Sequence, residues 1–101
     1  MKINKIVRNK IFLSNEEIMD INLDIKTKYD LKEDMDIESL YDEISYEASL
    51  AKALYYLSLR DRTEEELRIK LGGKFRNASS IDRAVKKVRE MGYINDHDYA
   101  L

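Results

Sequence analysis

The sequence predicts a mainly α domain: a three-helix repeat unit preceded by a small N-terminal segment that carries a β-hairpin and a short helix. Three observations predict it. One apolar stripe runs at i, i+3, i+4 spacing from Ile37 to Tyr55. A capping box stands at Thr63–Glu66, and a second amphipathic run from Ile81 to Met91 is stopped by Gly92. No proline interrupts any of these runs. The expected division is a leader at 1–36 and the helical unit at 37–101.

Taken in order, Lys2 to Val7 alternates loosely, Arg8-Asn9-Lys10 reads as a turn, and Ile11 to Leu13 is an apolar run closed by Ser14-Asn15-Glu16. Ile18 to Ile21 pairs back as the far arm, although neither turn carries the Asn-Gly or Asp-Gly pair that marks tight hairpins. Leu23 to Tyr29 is a short helix leading into the acidic connector Lys32 to Asp36. The first long helix takes Ile37, Leu40, Tyr41, Ile44, Ala48, Ala51, Leu54 and Tyr55 on one stripe, widened by Leu50 and Leu57. That width predicts that Tyr55 and Tyr56 pack against neighbouring helices. The second helix starts at the Thr63 box, buries Leu67, Leu71 and Phe75, and ends at Gly72-Gly73, where a left-handed residue is expected. A third helix is expected near Ser79, with Asp82 as its box acid and Ile81, Ala84, Val85 and Val88 on its inner face. Ile94-Asn95-Asp96-His97-Asp98-Tyr99 carries the cap, box acid and staple of a fourth helix. Its body is missing two residues later, which predicts that the sequence is part of something longer.

Composition limits the function classes. A chain of 101 residues, 44% hydrophobic and 38% charged, is at most one domain. It buries about two-thirds of its unfolded surface, too little for a roomy catalytic cleft. The absence of cysteine excludes a disulfide framework and a thiolate metal site and fits a cytoplasmic setting. The basic start (Lys2, Lys5, Arg8, Lys10) has no continuous apolar region and is no signal peptide, and no segment approaches membrane-spanning length. The net charge of -2 hides an asymmetry. Residues 1 to 50 hold seven bases and twelve acids, and residues 51 to 101 hold eleven bases and eight acids. Between Arg68 and Arg89, eight bases face one acid, Asp82. Ordinary surfaces mix the signs, so this stretch marks a surface for a polyanion or an acidic protein.

Catalytic and metal motifs fail on inspection. Asp20-Ile-Asn22-Leu-Asp24 opens like a calcium loop, but Ile25 and Leu31 stand where glycine and glutamate are required. Gly72-Gly73-Lys74 lacks the upstream glycine of a phosphate loop, and Phe75 replaces its serine or threonine. His97 is the only histidine, and Ser79 and Ser80 have no positioned base. No enzyme activity, cofactor, metal or small-molecule substrate is expected.

"ALYYLSLRDRTEEELRIKL" followed by "IDRAVKKVREMGYINDHDYA" resembles the opening unit of the RecX family, bacterial regulators of the RecA recombinase. The pattern is an Ala-Leu-x-Tyr-Leu helix end, Arg60, the capped start Thr63 to Leu67, Leu71, a third helix, then Gly92-Tyr93-Ile94 with Asp96 and Tyr99-Ala100. It covers Ala53 to Leu101, and "LDIKTKYDLKEDMDI" is the best-matching part of the leader, with Asp30 where a glycine is common. The resemblance implies a non-enzymatic protein of tandem three-helix units that lies along the groove of a RecA filament on DNA and restrains recombination and the SOS response. Its matching residues are fold-makers: Leu54, Leu57, Leu67, Leu71, Val85 and Tyr99 in the core, Thr63 and Gly92 as caps. Charge therefore selects the contact surface: Arg60, Arg62, Arg68, Lys70, Lys74, Arg76, Lys86, Lys87 and Arg89. The alternative is a stand-alone three-helix module that binds single- or double-stranded DNA directly, its third helix on a duplex through Arg83, Lys86 and Lys87; the acidic first half opposes it.

Overall fold

The structure, a computed structural model, describes residues 1–94. Three strands, β1 (Ile3–Val7), β2 (Lys10–Leu13) and β3 (Ile18–Asp20), form an antiparallel sheet in sequence order. Four helices follow: α1 (Leu23–Lys28), α2 (Tyr41–Leu59), α3 (Glu64–Gly72) and α4 (Ala78–Glu90). The architecture is mainly α with a small N-terminal sheet, as the sequence predicts. The fourth-helix signal at Asn95 to Tyr99 lies outside the described residues.

The sheet's register sorts its side chains by face. Ile6 pairs with Ile11 and Ile11 with Met19 on the inner side, while Lys5, Phe12 and Ile18 align across the outer side. A bulge between Ile3 and Lys5 turns Ile3, opposite Leu13, inward as well. The free edge of β1 is covered by the acidic connector. The Ile3 amide donates to the Met35 carbonyl (2.9 Å), Asp34 donates to the Ile3 carbonyl (2.7 Å), and Ile37 donates to the Met1 carbonyl (2.8 Å). This pairing corrects the start of the long helix. Ile37 is fully buried but extended against the N-terminus, so α2 begins at Tyr41.

One core joins sheet and helices: Ile3, Ile11, Leu13 and Met19 share a cluster with Ile37, Ile44, Leu67, Leu71, Phe75, Val85 and Val88. The capping box of α3 is present, with the Glu66 amide donating to Thr63 Oγ1 (3.1 Å) and the Thr63 amide donating to Glu66 Oε1 (3.4 Å). Three local expectations are corrected. Gly73 caps α3 at φ -78°, so no left-handed residue ends that helix. The cap of α4 is Asn77, whose Oδ1 accepts from the Ser80 amide (3.2 Å), and Ser79 lies inside the helix, which leaves Asp82 free for ion pairing. Tyr55 is 54% exposed on the rim of a groove that α2 forms with the β1–β2 turn, whereas Tyr56 is half-buried.

Two helices end in the same hydrogen-bond pattern. After α1, Leu31 donates to the Lys26 carbonyl (3.0 Å) and Asp30 to the Thr27 carbonyl (3.2 Å), with Asp30 at φ 50°. After α4, Tyr93 donates to Val88 and Gly92 to Arg89 (both 3.0 Å), with Gly92 at φ 84°. Asp30 therefore occupies a position that glycine fills without strain. Asp30→Gly is expected to raise stability by about 0.5–1 kcal/mol and Gly92→Ala to lower it by about 1 kcal/mol. Urea denaturation of both variants reads the signs.

Candidate interaction surface

The nine selected bases divide by what already holds them. Arg62 is buried, at 8% exposure: its Nε donates to the Tyr56 carbonyl (3.3 Å) and its guanidinium lies 5.5 Å from the Tyr56 ring centroid. Arg76 donates to the carbonyls of Asn15 (2.9 Å) and Glu16 (3.1 Å), tying the α3–α4 loop to the β2–β3 turn. Arg60 pairs with Glu66 at 2.9 Å beside the α3 cap.

Arg68, Lys86 and Arg89 belong to a charge ladder along the α3–α4 seam. Arg89 reaches Glu64 (2.6 Å), Glu64 reaches Arg68 (3.3 Å), Arg68 reaches Asp82 (2.9 Å) and Asp82 reaches Lys86 (2.8 Å). Glu64 facing Arg89 while Arg68 faces Asp82 means that the two helices run antiparallel. Local spacing helps, since Glu64–Arg68 and Asp82–Lys86 are both i, i+4 pairs. Sequence counting set eight bases against one acid in this stretch; folding brings Glu64 into it from the start of α3.

Lys86 and Arg68 hold the Asp82 carboxyl below its ordinary range, and burial works against Arg68 while Asp82 and Glu64 hold its guanidinium the more firmly protonated. A carboxylate with a depressed folded-state pKa contributes stability that is complete above its unfolded pKa and is lost as pH falls through the folded value. The melting temperature is therefore expected to fall as pH drops from 5 toward 3, and less in Asp82→Asn than in the parent chain; equal slopes would remove Asp82 as a source.

Lys70, Lys74 and Lys87 remain. All three are exposed. Lys70 Nζ lies 5.9 Å from the Tyr56 ring centroid, and none of the three has an ion-pair partner among the described residues. Lys74 stands in the loop after α3, beyond the helix end at Gly72. Arg83, the further base of the duplex alternative, is held by Glu43 of α2 (3.0 Å) and packs 4.1 Å from the Tyr46 ring centroid.

Two features escaped sequence reasoning. Glu17 is 2% exposed, sits on the sheet's inner face, and accepts from the Tyr41 hydroxyl, which pins the start of α2 to the β2–β3 turn. The second is the set of bases on and around the β1–β2 hairpin, for which the run Lys2, Lys5, Arg8, Lys10 without an acid was the available signal. No group of three or more His, Asp or Glu among the described residues is placed to hold a metal ion, and no described helix is long and apolar enough to cross a membrane.

The family profile described as the RecX first three-helix domain matches residues 50–87. Relatives named Regulatory protein RecX include one from Listeria monocytogenes serotype 4a (strain HCC23), 30% identical over 98 residues, covering 92% of this chain and 36% of the relative. Another, from Lactococcus lactis subsp. lactis (strain IL1403), is 34% identical over 95 residues, covering 91% and 33%. The chain spans about a third of the length of these curated relatives. A crystal structure of regulatory protein RecX superposes with a TM-score of 0.57 at 22% identity, over 98% of this chain and 54% of that one, which shows a shared fold. Matched by the profile over residues 50–87 and by relatives over 92% of its length, the chain belongs to the RecX family.

Proposed function

We propose that the chain is a non-enzymatic regulator that binds RecA recombinase filaments on DNA in the cytoplasm and restrains recombination and the SOS response. Residues 37–101 form the recognition unit, and residues 1–36 are a leader folded against it. The name of the relatives, Regulatory protein RecX, supports the class. The observation that carries the surface is the concentration of cations on α3, the α3–α4 loop and α4. There the rigid ladder fixes Arg68, Lys86 and Arg89, and Lys70, Lys74 and Lys87 are left without an acidic partner among the described residues. Pre-ordered charges lose little side-chain entropy on binding, and unpaired ones steer the approach of an acidic partner.

The test is co-sedimentation with nucleotide-bound RecA filaments on single-stranded DNA, against the same DNA without RecA. The triple variant Lys70→Glu, Lys74→Glu, Lys87→Glu is expected to bind filaments about tenfold more weakly. Its stability should fall by only about 1–2 kcal/mol, because no internal ion pair is broken and the loss is confined to the favourable charges of Lys70 and Lys87 in the last turns of α3 and α4. Undiminished filament binding by the triple variant would remove this surface.

A further inference from the structure

We infer that the groove between the β1–β2 turn and α2 binds single-stranded nucleic acid, with phosphates on Arg8, Lys10 and Lys52 and an unstacked base on Tyr55. The groove has a volume of about 780 Å³, within the range of sites that enclose a small ligand. Its floor is apolar and shallow in side-chain bulk: Ile21, Ile25, Ala48 and Ala51. Its rim holds three cations and one acid, Asp20.

That acid organises the rim. Asp20 Oδ1 takes Lys10 Nζ at 3.1 Å and Oδ2 takes Lys52 Nζ at 3.3 Å, so one carboxylate draws together two ammonium groups from different elements. Each ammonium has three N–H donors, so each keeps donors for a further anion. Arg8 stands at the tip of the β1–β2 turn, exposed, at φ 55°, without an ion-pair partner among the described residues. Net charge at the rim is thus positive by two, with Arg8 and Lys10 from the otherwise acidic first half of the chain and Lys52 from α2.

Tyr55 decides between occupants. A large aromatic ring 54% exposed at the groove, with Lys52 Nζ 5.7 Å from its centroid and Tyr56 tilted at 51° beside it, offers stacking surface flanked by cation. Alternating cations and aromatic surface are how sequence-tolerant sites hold single strands, whose splayed bases each present a π-face. A duplex keeps its bases stacked inside and has none to offer Tyr55. An acidic peptide would satisfy the cations and leave the ring idle. The site is distinct from the α3–α4 surface and does not depend on the recombinase.

The experiment is fluorescence anisotropy of a short labelled oligothymidylate with the full chain, without RecA, from low to moderate salt. Binding is expected with a log–log salt slope of about -2, from three phosphate contacts at about 0.7 each. Tyr55→Ala should weaken it by roughly five- to a hundredfold. Arg8→Glu should lower the magnitude of the slope by about 0.7 or more. Lys87→Glu should change neither. Both groove residues are exposed, so circular dichroism should report an unaltered fold. No binding at low salt overturns the inference. Equal competition by polyglutamate with a silent Tyr55→Ala overturns it in favour of an acidic protein, and thymidine monophosphate binding as tightly as the oligonucleotide overturns it in favour of a free nucleotide.

Discussion

Leu67→Ala is expected to cost about 3–5 kcal/mol, the largest effect of any single substitution considered. A chain of this length has a total stability of roughly 5–15 kcal/mol, so the variant should be partly unfolded at modest urea. The reason is the economy of α3. Its nine residues bury only Leu67 and Leu71, both at 0% exposure, while Ile69 between them is 69% exposed. Truncating Leu67 removes half of what anchors the helix and opens a void between elements whose backbones are fixed by the core on either side. Ile69→Ala, deleting a similar mass from the same helix, should stay within about 0.5 kcal/mol. Urea midpoints for the two variants settle the matter; similar losses would mean that α3 is not docked as described. Binding should follow stability, because an undocked α3 scatters Arg68 and Lys70 and cuts the ladder.

Tyr41→Phe carries the second-largest effect, about 2–3 kcal/mol. The Tyr41 hydroxyl donates to Glu17 Oε1, and Glu17 Oε2 has no hydrogen-bond partner. Removing the hydroxyl leaves a buried carboxylate with no side-chain donor at all. Tyr29→Phe is the control: Tyr29 likewise donates to a carboxylate, Glu47, but Glu47 keeps Lys28 at 2.7 Å and should lose less than about 1 kcal/mol. The double variant Glu17→Met with Tyr41→Phe should recover most of the loss, since two apolar groups leave nothing unsatisfied. Failure of that recovery would show that the cost was packing.

The same phenols set an alkaline limit. Burial, then Glu47, pushes Tyr29 up to about 12, and burial, then Glu17, raises Tyr41 as well. A group whose folded pKa is raised contributes stability that is complete below its unfolded pKa, near 10, and is lost as pH rises through the folded value. The fold should therefore weaken between about pH 10 and 12, and less in Tyr41→Phe.

The helical unit was legible because its signals are local. Thr63 and Glu66 are three residues apart, Gly92 ends a stripe, and Leu67 with Leu71 repeat at helical spacing; none needs knowledge of a partner. The strands were legible from alternation, and the leader's glycine-like position at Asp30 proved to be a left-handed residue. What stayed hidden depends on contacts between distant residues. Glu17 lies inside because Met19, two residues on, must face the core, and that parity exposes Ile18, the residue a hydrophobicity reading would bury. The start of α2 was displaced by the pairing of Ile37 with Met1, which no helical stripe reports. The candidate surface was legible as a run of bases but not as an arrangement. Charge counted along the chain missed that Glu64 and Asp82 would each be shared by two bases, and that Arg62 would close over Tyr56. The groove at Tyr55 joins turn, strand and helix and has no signature within any one of them.

The alternating ladder from Arg89 to Lys86 sets a rule for exchange. Glu64 and Asp82 are tethered counter-ions, present at an effective concentration that no soluble salt matches. A ligand of uniform negative charge can reach the exposed outer donors of Lys86 and Arg89, but it meets the repulsion of Asp82 and Glu64 beside them. A surface that itself alternates in sign meets no such repulsion, its bases facing Glu64 and Asp82 while its acids face Arg68, Lys86 and Arg89. The seam thus discriminates by pattern instead of by total charge, which favours a folded protein over a bare phosphate chain.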